Sequence, residues 1–193
     1  MRICILFLSI FLLTNKSYSQ VDENQTGAWY MYFYSHQFKN SQWGVQGDFQ
    51  YRDWQVLGDK EQLLLRSGIT YRPKDAGVLL TLGIANITSG QFGESDDTSN
   101  ENRIYQEALL PQKIGNRLLI THRFRYEQRF VESQDFRTRY RYNLFINIPF
   151  NGKDLSPKTM YGAFYNELFI NGERSIGDGK VVELFDRNRS YFG

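Results

Sequence analysis

The chain has 193 residues with 23 Lys and Arg against 21 Asp and Glu, a length that suits one domain. Arg2 and Lys16 lie in the N-terminal leader, so the remainder carries 21 charges of each sign and has no basic surplus for a nucleic-acid partner. Phe, Tyr and Trp number 15, 13 and 3, yet the mean hydropathy is −0.52; no segment beyond the leader is apolar enough for a spanning helix, so any membrane crossing must be made by a closed sheet.

The leader comes first. Arg2 precedes an uncharged apolar run at 3–14, and Ser17 and Ser19 put small residues at the −3 and −1 positions before Gln20. That pattern predicts a secretory signal peptide at 1–19 and a mature domain at 20–193. The run falls short of the roughly 20 residues of a membrane-spanning helix. Cys4, the single cysteine, leaves with the leader. It stands near the start of the apolar run and not just after it, which argues against a lipid-anchored N-terminus.

From Gly27 the hydrophobic period is two. Segment 43–52 alternates Trp43, Val45, Gly47, Phe49 and Tyr51 with Gly44, Gln46, Asp48, Gln50 and Arg52. Segment 61–72 sets Leu63, Leu65, Ile69 and Tyr71 against Gln62, Arg66, Thr70 and Arg72. Segments 117–130 and 136–148 repeat the pattern with arginine dominating the polar side. Less regular strands are expected at 28–35, 78–87, 103–111 and 158–170, and a ninth from Leu184. Turn residues cluster at 73–77, 113–116 and 151–154. Longer polar connections are expected at 88–102 and 171–183. Long loops therefore follow even strands and short turns odd ones, the two-sidedness of a membrane barrel. A periplasmic N-terminus would need the opposite parity, which points to a merged or missed early strand. A strand of about 10 residues tilted by about 45° covers roughly 23 Å, close to the apolar band of ~25 Å in such barrels.

The expected fold is all-β, an antiparallel up-and-down transmembrane β-barrel. A soluble barrel would show water a face of Lys, Glu, Thr and Ser; here the polar face is rich in arginine, which suits fixed multidentate pairing in a confined space. With 131–135 as the loop between strands six and seven, opposed residues sum to 266. Glu127 then faces Arg139, Arg125 faces Arg141, Arg129 faces Arg137 and Arg123 faces Asn143. Like charges directly opposed are unfavourable, so carboxylates must come from neighbouring strands, with Glu107 and Glu167 on the same side. The expected interior cluster is Arg103, Glu107, Arg123, Arg125, Glu127, Arg129, Arg137, Arg139, Arg141 and Glu167. Trp29, Tyr30, Tyr34, Trp43, Tyr51 and Trp54 are the candidate interfacial girdle.

The ordered series Glu101–Gln106, His122–Phe130, Arg137–Tyr142, Tyr165–Phe169 and Asp186–Arg189 resembles the domain of unknown function 2490 family over residues 27–193. The resemblance implies a Gram-negative outer-membrane β-barrel and no activity. Tyr191-Phe192-Gly193 stops within a strand, and nine is an odd count for a bacterial single-chain barrel, so the expected complete barrel has about 12 strands and this sequence is C-terminally incomplete.

Chemistry beyond this is sparse. An arginine-lined lumen could pass a small anionic solute, although charges paired among themselves would instead plug it. The alternative class is a barrel enzyme acting on membrane lipids, a hydrolase or acyltransferase, which would need a His beside a nucleophile. His36 is expected in a turn beside Ser35, and His122 on the outward face of strand six, so no catalytic site is expected. The loop Glu94-Ser95-Asp96-Asp97 lacks the ligand spacing of a calcium loop, and no metal or cofactor is expected. The implied partners are outer-membrane lipid and the barrel-assembly machinery during insertion.

Overall fold

The computed structural model describes residues 26–93, 95 and 97–193. The expected signal peptide at 1–19, residues 20–25, Glu94 and Asp96 lie outside them. The described residues form nine strands: β1 (Ala28–Gln37), β2 (Trp43–Asp53), β3 (Lys60–Tyr71), β4 (Leu79–Gly90), β5 (Thr98–Ile114), β6 (Leu118–Val131), β7 (Arg137–Pro149), β8 (Tyr161–Asn171) and β9 (Phe185–Phe192). They make one antiparallel sheet in chain order, each strand pairing with the next. The sheet curls into a half-barrel. Among the described residues β1 and β9 do not pair with each other.

Alternation decides what each face carries. In β4, Thr81, Gly83, Ala85 and Ile87 are buried while Leu80, Leu82 and Ile84 are exposed. Proline and glycine aside, six apolar or aromatic residues are buried in the described chain against sixteen polar or charged ones, so the usual arrangement is inverted: the concave side is mainly polar and the convex side mainly apolar. Convex aromatics meet across neighbouring strands, as in Phe124–Tyr142 and Tyr126–Tyr140, both with ring centroids 5.1 Å apart. Such cross-strand pairs stabilise a sheet face.

Two glycines let aromatic rings lie flat along the sheet. Tyr34 crosses Gly47 on the convex side and donates its hydroxyl to Ser67 Oγ at 2.7 Å. On the concave side Tyr105 lies over its cross-strand partner Gly83, and the Arg125 guanidinium sits 4.4 Å from the Tyr105 ring centre. Bulges at Arg52/Asp53 and Phe169/Ile170 shift the register near one end of the sheet, where extra twist is expected.

Several expected boundaries move, each for a visible reason. The connection expected at 88–102 is mostly strand. β4 runs to Gly90 and β5 starts at Thr98, because polar side chains tie across the ladder: Asn86 Nδ2 donates to Asn102 Oδ1 and Thr88 Oγ1 to Asn100 Oδ1, each at 2.9 Å. β8 starts at Tyr161 and not at 158, because the Asn151 carboxamide folds the preceding loop, accepting from Met160 N at 2.8 Å and donating to Lys158 O at 3.1 Å. His36 lies within β1, opposite Val45, and not in a turn. The loop asymmetry disappears: connections 54–59, 91–97, 132–136 and 172–184 at one end resemble in length 38–42, 72–78, 115–117 and 150–160 at the other.

Candidate functional site

The period of two puts alternate residues of β5–β8 on the concave side, and the ladder aligns them in rows. One row reads Glu107, Arg125, Arg141 and Phe169; the next reads Tyr105, Glu127, Arg139 and Asn171. A third opposes Arg103, Arg129 and Arg137 directly. The expected hairpin register, with Arg125 opposite Arg141 and Arg129 opposite Arg137, is the one observed. All ten expected cluster residues share this face.

Rows of like charge cannot neutralise themselves; Glu107 and Arg125 pair within their row, and most of the other ion pairs run diagonally. Arg141 Nη1 donates to Glu127 Oε1 at 2.7 Å and its Nη2 to Glu167 Oε1 at 2.6 Å. Arg123 Nη2 reaches the same Glu167 oxygen at 2.7 Å, and Tyr165 donates to the other at 2.6 Å. Arg103 joins Glu101 at 2.7 Å to Glu127 at 3.4 Å. Arg129 adds a second cation to Glu101, with Nη2 to Oε2 at 2.9 Å. Arg125 Nε donates to Glu107 at 2.7 Å, and Arg123 approaches that carboxylate at 3.9 Å. The result is a continuous alternation from Arg129 through Glu101, Arg103, Glu127, Arg141, Glu167, Arg123 and Glu107 to Arg125. Glu127 and Glu167 are each 1% exposed, and charged hydrogen bonds are strong where water is excluded.

Two expected members stand apart. Arg137 makes no ion pair among the described residues, and its Nε is buried without a hydrogen-bond partner. Arg139 faces Glu127 in the ladder yet turns to Asn171 Oδ1 at 3.3 Å and Asp186 at 3.5 Å.

The network also draws on residues outside the expected cluster. Glu101 fell in the expected loop at 88–102. Asp48 and Arg66, already on the polar faces of their strands, form a two-pronged pair across β2 and β3 at 2.8 and 2.9 Å. Gln46 reaches over from β2 to Glu107 at 3.4 Å. Phe169 breaks the expected segregation of aromatics to the outside: it is buried on the concave side, with Arg141 4.6 Å and Arg189 5.2 Å from its ring centre. The period of two already sets Phe169 on the side of Glu167, two residues before it; what the sequence does not show is the ring's guanidinium neighbours.

Of the expected girdle, Tyr30, Tyr34, Trp43 and Tyr51 lie on the convex side, but Trp29 does not. It pairs with Arg52, whose guanidinium lies 4.1 Å from its ring centre on the concave side. Trp54 lies just beyond β2, near Phe92. His122 lies on the convex side and shares a hydrogen bond with Tyr142 Oη at 2.8 Å. His36 is there too, edge-on to Phe38 at 5.8 Å. Among the described residues no group of three or more His, Cys, Asp or Glu is placed to hold a metal ion.

Residues 26–193 match a family model described as protein of unknown function (DUF2490). No curated protein and no solved structure matches the chain.

Proposed function

The chain belongs to this family of unknown function, and from its geometry we propose that it is an outer-membrane β-barrel protein whose interior is closed by the Arg–Glu network, a structural barrel and not an open pore or an enzyme. The observation that carries the proposal is the inversion of faces. On the convex side Phe49, Ile69, Leu82, Ile84, Ile104, Phe124, Phe130 and Tyr140 are exposed, while the guanidinium groups of Arg125, Arg129 and Arg139 are buried. Water gives no reason to bury charge and expose Leu82, Ile84, Phe124 and Phe130; hydrocarbon does, because outward positions of a membrane barrel are apolar and inward ones polar. Contiguous exposed apolar surface of this extent marks contact with membrane or partner.

Within this reading the leader at 1–19 exports the chain, the assembly machinery inserts it, and outer-membrane lipid surrounds the convex side. The free edges of β1 and β9 then need further strand pairing, since hydrocarbon cannot satisfy open backbone groups. The ion pairs favour a closed interior over an anion passage, because Arg103, Arg123, Arg125, Arg129 and Arg141 are each held by a carboxylate of the network.

Expression with the leader in a Gram-negative host tests the proposal. The protein should fractionate with the outer membrane and resist extraction by urea or carbonate. Recovery as a folded protein in the soluble periplasmic fraction would overturn it.

A further inference from the structure

The network leaves one part of the concave side unexplained. At the end carrying connections 54–59, 91–97, 132–136 and 172–184, a polar cavity of about 310 Å³ is bordered by residues from β2 through β9. Eight arginines line it against two carboxylates, Glu61 and Glu101. Six of the eight reach a carboxylate in the network or nearby. Arg52 and Arg189 have no ion pair among the described residues. Arg52 donates only to Gln50 at 2.9 Å, and its Nε is buried without a partner. Arg129, 5% exposed, also keeps a buried Nη1 without a partner. Four guanidinium groups, those of Arg139, Arg141, Arg187 and Arg189, crowd the single ring of Phe169 at 4.6–6.0 Å.

Stability does not account for this concentration. Gathered like charges repel, and a buried donor without an acceptor is unfavourable. The Phe169 ring offsets part of the repulsion through its face but supplies no acceptor. We propose that the cavity binds a small, multiply charged phosphate anion of about the size of pyrophosphate, drawn from the aqueous phase. Guanidinium forks match phosphate oxygens in pairs. The forks here converge from different strands, which suits tetrahedral oxygen groups better than one planar carboxylate. The buried donors left open on Arg52 and Arg129 call for an acceptor, and Arg189 stands exposed at the rim on β9. The excess of eight arginines over two carboxylates in the lining calls for more than one negative charge, and the volume lies near the ~300 Å³ lower bound of ligand cavities. The concave side faces away from the apolar surface, so a bilayer headgroup is not the source. The inference rests on the arginine lining and not on the membrane reading, since the same residues border the cavity in either surrounding.

The test uses the folded chain in detergent micelles, titrated calorimetrically with inorganic pyrophosphate at low ionic strength. One anion should bind per chain, saturably. The double variant R52Q/R189Q should weaken it at least about tenfold. Lys39→Gln, at the opposite end, should leave it unchanged. Should the double variant misfold, Arg129→Lys keeps the charge but removes the fork and should weaken binding as well. Absence of saturation, equal weakening by Lys39→Gln, full binding by the folded arginine variants, or citrate binding as tightly as pyrophosphate would each overturn the proposal. Membrane fractionation of the same variants separates its failure from failure of the membrane reading.

Discussion

Glu127 stands directly opposite Arg139 across the β6–β7 ladder, yet its carboxylate bonds to Arg141, two positions along, at 2.7 Å. The displacement places one buried carboxylate among Arg103, Arg125 and Arg141. Removing its charge leaves cations in a water-poor space without compensation. Glu127→Gln should therefore destabilise the fold by about 3–5 kcal/mol, measured as the shift in reversible urea unfolding in micelles. A change within about 0.5 kcal/mol, the range of ordinary surface substitutions, would mean that water reaches the network.

The Asp48–Arg66 pair lies apart from that chain of charges and joins directly opposed residues. A double-mutant cycle with Asp48→Asn and Arg66→Gln should give a coupling of about 0.5–3 kcal/mol, as for other contacting residues. Additive single effects would mean that the two-pronged contact contributes little.

Gly83 and Tyr105 test how the half-barrel curves. A methyl at Gly83 would enter the Tyr105 ring, so Gly83→Ala should cost about 1–3 kcal/mol by overpacking. Adding Tyr105→Leu should recover part of that loss, read by the same unfolding assay. If Gly83→Ala is neutral, the ring does not lie where the sheet places it.

Much of this was legible in residue order. The strict alternation of 43–52 and the arginine-rich side of 123–141 placed nine strands and the β6–β7 register, because a slip of one residue would turn every side chain to the other face. The ten expected cluster residues share the concave side for the same reason. What stayed hidden depended on contacts between strands. Glu101 looked like loop because its neighbours Asn100 and Asn102 are polar, yet those amides are the cross-strand ties that extend β5. Trp29 looked outward because it is aromatic, but it meets the Arg52 guanidinium on the concave side. Period alone also could not show that most of the ion pairs run diagonally.

A closed interior makes an electrical prediction. Reconstituted in a planar bilayer, the protein should show no steady unitary conductance, because the chain of pairs from Arg129 to Arg125 fills the concave side of β5–β8 and Gln46 reaches across from β2 to Glu107. Stable, anion-selective steps would contradict the plug and restore the pore.

The convex side offers a test by polarity. Ile84 is 65% exposed in the middle of β4. Facing hydrocarbon, Ile84→Arg should cost about 2–4 kcal/mol; facing water, a surface substitution of this kind stays within about 0.5 kcal/mol. Folding into vesicles, followed by the urea midpoint, distinguishes the two.

The most direct measurement asks what touches each side of β4. Cys4 is the only cysteine, so in a Cys4→Ser background a single thiol can be introduced at Leu82 or at Ala85 and given a fluorophore. In vesicles, the label at Leu82→Cys should be quenched by phospholipid carrying a spin label on its acyl chain and shielded from aqueous iodide, while that at Ala85→Cys escapes the lipid quencher. Iodide quenching at Leu82→Cys without any effect of the spin-labelled chain would contradict the account.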